Sequence, residues 1–141
     1  MCTGLFDEYD KNLEYYKELL EKKIDKKMIC TNPDLIVDRG NKRELCAGSV
    51  AMVFEKMGGE VIYFGKPYSE VYNQSINNQN KISLCVGDNL NTDIKGANLL
   101  NYDSLLITNG VHKKEITDNG LEQVSRKYEA ICNYTQTELK W

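Results

Sequence analysis

Two aspartates five residues apart, Asp88 and Asp93, follow directly on the apolar run Ile82–Val86. A run of that length suits a strand buried on both faces. Gly87 lets the backbone turn, so Asp88 is delivered just past the strand's carboxyl end, where open α/β sheets bind their ligands. Thr92 or Asp93 can cap a helix that starts near Ile94, because their side-chain oxygens accept N–H groups of the first turn. The two carboxylates then share one loop mouth. Such a pair suits Mg²⁺, a hard cation that takes one or two protein carboxylates, several waters and a substrate phosphate. A lone Asp after a strand more often only forms a turn, so the reading depends on what else the chain brings to the same place.

Gly65-Lys66-Pro67 brings a cation. Lys66 leaves a strand predicted over Val61–Phe64 and opens a helix predicted from Pro67 to about Ile76, with Pro67 at its first position. A helix N-terminus favours anions, and an ammonium there adds to the attraction. One helix separates Lys66 from Asp88, so a parallel layout carries both to the same carboxyl edge.

The elements that must position these residues alternate between strand and helix. Leu13, Tyr16, Leu20 and Ile24 recur at helical spacing and predict an amphipathic helix over 10–25. A short strand over 27–31 closes in Thr31-Asn32-Pro33-Asp34, and Leu35-Ile36-Val37 reads as another brief strand. Leu45–Met57 is predicted as a helix stopped by Gly58-Gly59. Asn73–Asn80 is polar and reads as a helix end and loop. After Asp93 come a turn at Asn101–Asp103, a strand over 104–108, a turn at Asn109-Gly110, a polar helix over 118–127 and a last strand over 130–134. This order predicts an α/β fold with a largely parallel sheet.

The chain has 141 residues, 28% of them charged and 41% hydrophobic, which fits an ordinary globular protein with a modest core. A net charge of −3 leaves no electrostatic footprint for nucleic acid or an anionic membrane. Cys2, Cys30, Cys46, Cys85 and Cys132 are odd in number and form no C-x-x-C, so they read as reduced, buried residues. No secretory leader or membrane-length apolar run is present, and a cytoplasmic protein is expected. His112, the one histidine, follows a loop and reads as structural. The tyrosines and Trp141 read as packing residues.

Gly65-Lys66-Pro67 followed by Gly87-Asp88-Asn89-Leu90-Asn91-Thr92-Asp93-Ile94 resembles the third and fourth motifs of the haloacid dehalogenase (HAD) superfamily, and in particular its subclass IIA phosphatases. Thr31–Asp34, Arg39-Gly40, Cys46-Ala47-Gly48 and Gly58-Gly59 follow in that subclass's order, so the resemblance covers nearly the whole chain. It implies a partial HAD-like Rossmannoid core over 63–141 and part of a C2-type α/β cap over 1–62. It implies a Mg²⁺-dependent phosphomonoester phosphatase acting on a small phosphorylated metabolite. Lys66 would steady nucleophile and phosphate, Asp88 and Asp93 would serve the Mg²⁺, and Asn89 would belong to the same binding loop. Asn32 and Asp34 would face substrate from the cap.

The family's first motif, an apolar strand running into Asp-x-Asp-Gly, has no counterpart among these residues, which contain no Asp-x-Asp. Leu35-Ile36-Val37-Asp38 imitates its beginning but continues Arg39-Gly40, and Ile29-Cys30-Thr31 imitates the second motif at a position belonging to the cap. The expectation is therefore a carboxyl-terminal portion, inactive alone, with the nucleophile on a separate chain or lost. The rival expectation is a non-catalytic remnant or interaction module that retains weak Mg²⁺ or phosphate binding.

Overall fold

The computed structural model describes residues 1–76 and 82–140; Trp141 and the end of the Asn73–Asn80 stretch lie outside them. The chain divides into two compact units, Met1–Gly65 and Lys66–Trp141. Both are α/β, and the pairing between strands is mainly parallel, as the alternating order of elements predicts.

In the first unit, helix α1 (Leu13–Glu21) starts where the Asn12 side chain accepts the Tyr15 N–H at 3.1 Å. It is shorter at both ends than the expected span of 10–25, starting after the Asn12 cap and ending at Glu21. Strand β1 (Lys27–Cys30) opens the unit's sheet, and β2 (Ile36–Arg39) and β3 (Lys42–Leu45) follow as an antiparallel hairpin. The sequence signals only the first strand of that hairpin. β3 carries Lys42, Arg43 and Glu44, with no apolar alternation to read.

Helix α2 (Ala47–Lys56) crosses over to β4 (Glu60–Tyr63), which pairs in parallel with β1. The helix stops at Gly58, whose φ of +92° suits glycine, with Gly58 N–H donating to Glu55 O and Gly59 N–H to Phe54 O at 2.8 and 3.0 Å. Phe54, Val50, Ala51 and Ala47 from α2 bury against Tyr16, Met28 and Cys30.

In the second unit, α3 (Ser69–Ser75) begins beyond Pro67 rather than at it. Strands β5 (Leu84–Gly87), β6 (Asp103–Ile107) and β7 (Tyr134–Gln136) form a parallel sheet in that order. A π-helical turn, Leu90–Ile94, runs into α4 (Lys95–Leu99), and α5 (Lys113–Asn119) and α6 (Leu121–Lys127) follow β6. Leu90, Ile94, Leu106, Val124 and Ala130 form its core.

Four expectations change here. The single helix over 118–127 is two helices, because Gly120 breaks the path at φ +80°, ψ 150°. The last strand forms at Tyr134–Gln136 and not at 130–134: Ala130 is drawn into the core, while Ser104 Oγ donates to Ile131 O at 2.9 Å and Ser104 N to Asn133 Oδ1 at 3.0 Å. β5 is not buried on both faces. Among the described residues it pairs with β6 alone, leaving Leu84 49% and Val86 41% exposed. Finally β4, the strand leading to Lys66, pairs with β1 in the first unit and is not a member of the sheet that carries Asp88.

The five cysteines are free, and only Cys30 and Cys46 are fully buried. Among the described residues no helix is long and apolar enough to cross a membrane.

Candidate metal and phosphate site

β5 ends at Gly87, and the chain turns there without a side chain for a steric reason: a Cβ on Gly87 would collide with the Asp93 carboxylate. That carboxylate lies nine-tenths buried beneath the loop. Its Oδ2 accepts the backbone N–H groups of Asp88 and Asn89, both at 3.1 Å, and its Oδ1 takes the Lys66 ammonium in an ion pair. Asp93 therefore reaches back to the loop before it rather than capping the helix ahead. The capping role falls to Asn89, whose Oδ1 accepts the Asn91 N–H at 2.9 Å at the start of the π-helical turn. The sequence pointed to Thr92 or Asp93, as it would for an α-helix starting near Ile94; the turn begins earlier, and its cap moves with it.

Asp88 is only partly buried. Its Oδ2 accepts the Val111 N–H at 3.0 Å, from the loop after β6. Gly110 makes room for it, since a Cβ there would strike the Asp88 carboxylate. The second oxygen of Asp88 has no hydrogen-bond partner among the described residues. One carboxylate oxygen anchored and one available is a donor set suited to a hard cation. Among the described residues no group of three or more His, Cys, Asp or Glu is placed to hold a metal. Mg²⁺, which keeps several waters and shares a substrate phosphate, fits the smaller set at Asp88.

Lys66, Asp88, Asn89 and Asp93 are thus brought together at the carboxyl end of β5. Asn32 and Asp34 belong to the first unit and build a loop there. Asn32 Oδ1 accepts the Asp34 N–H at 3.2 Å, and Asp34 O accepts the Gly48 N–H at 3.2 Å. Asp38 is held by Arg43, directly opposite on the hairpin, in a two-pronged pair at 2.8 and 2.8 Å that keeps its carboxyl below the usual range. A carboxylate engaged at both oxygens is a poor nucleophile, but Asp38 is a residue of strand β2 and not of the loop that follows Leu35-Ile36-Val37, because the hairpin pairing extends through Arg39.

Sequence reasoning left His112 out of the site, yet it is buried beside it. Its Nε2 lies 3.5 Å from Asn89 Oδ1 and its Nδ1 3.4 Å from Glu115 Oε2. The ring also meets Tyr128 edge-on at 4.6 Å. No spacing signal marked it, because Asn89 and His112 come from different loops.

Residues 63–133, half of the chain, match the sequence model of the family described as HAD-hydrolase-like. The chain belongs to that family. Among solved structures, a haloacid dehalogenase-like hydrolase from Brucella suis is 34% identical, with 77% of this chain and 44% of that one covered at a TM-score of 0.69. A p-nitrophenyl phosphatase from Archaeoglobus fulgidus is 20% identical and shares the fold, with coverage of 96% and 52% and a TM-score of 0.67. A glycerol phosphate phosphatase from Mycobacterium tuberculosis, solved in complex with calcium, is 25% identical, with coverage of 70% and 30% and a TM-score of 0.53. The chain spans about half the length of such HAD-like structures or less. No curated protein matches it.

Proposed function

We propose that the chain carries the metal and phosphate site of a Mg²⁺-dependent phosphomonoester phosphatase of the HAD-like family, acting on a small phosphorylated metabolite. The observation that carries this reading is the loop at the end of β5, where Asp93 joins Lys66 to the two backbone amides that shape the turn at Asp88. In this reading Asp88 holds the cation through its available oxygen. Asp93 holds Lys66 in place, and the Lys66 ammonium offsets phosphate charge. When bound, Mg²⁺ would neutralise phosphate oxygens, which suits a reaction governed by positioning and charge more than by covalent work from the protein.

In this reading the aspartate nucleophile is supplied by a separate chain, and this chain is inactive without it. The edge of β5, unpaired among the described residues and with Leu84 and Val86 exposed, supports a strand from outside pairing there. In this reading residues 1–62 belong to a cap, with Asn32 and Asp34 as its candidate substrate residues.

The test is hydrolysis of an aryl phosphate with Mg²⁺, by the chain alone and with an added chain in which an apolar strand runs into Asp-x-Asp-Gly. The expected result is no turnover alone and turnover on addition, abolished by Asp88→Asn and lowered about 10²-fold by Lys66→Ala. Turnover by the chain alone would remove the claim of an external nucleophile. Wild-type rates in both variants would remove the site assignment.

A further inference from the structure

His112 is 6% exposed, and its two ring nitrogens face neighbours on different elements. It sits on the loop between β6 and α5, directly after Val111, whose N–H holds Asp88. From there it crosses to Asn89 on the loop after β5, at 3.5 Å. Those two loops are therefore tied twice, once through Val111 and Asp88 and once through His112 and Asn89. The far side of the imidazole is fixed as well. Glu115 faces Nδ1 and is itself gripped by the Lys127 ammonium and by the Tyr128 hydroxyl at 3.1 Å. Lys127 holds the Glu115 carboxyl below the usual carboxylate range, with His112 and Tyr128 contributing. Asn89 is equally constrained, with its N–H on Asp93 and its Oδ1 on the Asn91 N–H. A rigid chain of contacts thus runs from helices α5 and α6 to the loop that presents Asp88.

We infer that His112 is a positioning residue for the cation site: it locks the β6–α5 loop against Asn89, so that the Val111 N–H holds Asp88 with its second carboxylate oxygen turned toward the metal. It touches neither substrate nor cation and acts through Asn89 and Val111. The inference rests on the proposed function, because it takes Asp88 as the Mg²⁺ ligand. Residues that orient a ligand from behind typically change metal affinity by about 10–100-fold when lost. A buried histidine that merely filled space would be replaced without loss by an apolar side chain of similar size.

The experiment is calorimetric titration of Mg²⁺ into the full chain and into Asp88→Asn, His112→Leu, His112→Gln and Glu115→Gln, with the thermal midpoint of each recorded. Wild type binds and Asp88→Asn does not. His112→Leu binds about tenfold more weakly, and His112→Gln, which keeps a donor toward Asn89, recovers most of that loss. Glu115→Gln, on the partly exposed side, folds and weakens binding by a smaller factor. Should His112→Leu fail to fold, the imidazole ¹⁵N resonances of wild type decide the matter, because Mg²⁺ must shift them with the midpoint that calorimetry reads. Unchanged affinity in His112→Leu, no rescue by His112→Gln, or imidazole resonances indifferent to Mg²⁺ would overturn the inference and leave the proposed function standing. Wild type that takes up no Mg²⁺ would overturn both.

Discussion

Asp93 has no oxygen left over, and that sets its part in the site. Two backbone amides and an ammonium share its carboxylate, so it acts as the joint of the loop while Asp88 keeps an oxygen available. Close by, Tyr72 carries a cost of a different kind. Its hydroxyl lies buried against Gly96 with no hydrogen-bond partner among the described residues. Burial, with Cys85 and Asp93 nearby, pushes its pKa up to about 12. An unsatisfied buried hydroxyl costs about 1–3 kcal/mol, so Tyr72→Phe is expected to raise stability by roughly 1 kcal/mol in urea unfolding. The sign with pH follows from the raised pKa. Between the ordinary value of 10.0 and about 12 the unfolded chain ionises first, so this group's contribution falls as pH rises through that window. Tyr72→Phe should flatten that alkaline slope; an unchanged slope would show that the hydroxyl finds a partner in solution.

At the scale of elements, the break between α5 and α6 decides where Glu115, Lys127 and Tyr128 meet. Gly120 holds φ +80° and ψ 150°, a region open to glycine almost alone. Gly120→Ala is expected to cost about 1–3 kcal/mol by denaturant unfolding. It should also loosen the Glu115–Lys127 pair, read as a weaker downward shift of the Glu115 carboxyl. This element shows where the sequence ran out. Asp88 and Asp93 were legible because a strand signal, a glycine turn and a short spacing all point to one loop; Lys66 meets Asp93 there although its strand β4 lies outside that sheet, so the parallel layout is not what places it. The α5–α6 break was not, since Lys113–Asn119 has Ile116 as its one apolar residue and so shows no helical period, and a glycine inside a mostly polar stretch reads as a loop as readily as a hinge. β3 was hidden for a similar reason. Its stability comes from register, with Asp38 opposite Arg43, and not from an apolar period. The Asn89–His112 contact was invisible because it joins residues that only the sheet order brings together.

At the scale of the whole molecule, each unit keeps its own core, one built on α2 and one on the β5–β6–β7 layer. The second unit's sheet is stitched internally from β5 to β7, and its first strand faces outward with no neighbour among the described residues. In a parallel strand successive amides point alternately to the two sides, so half of those in Leu84–Gly87 are tied to β6 and the other half look away from the sheet. Hydrogen–deuterium exchange should therefore find an alternating fast–slow pattern along this one strand, with the fast amides trading protons like those of a loop. Uniform protection along the strand in the chain alone would contradict the edge. On addition of a pairing strand the fast set should slow while the slow set barely moves. The edge thereby doubles as an isotopic clock, one that reads assembly strand by strand before any phosphate is cleaved.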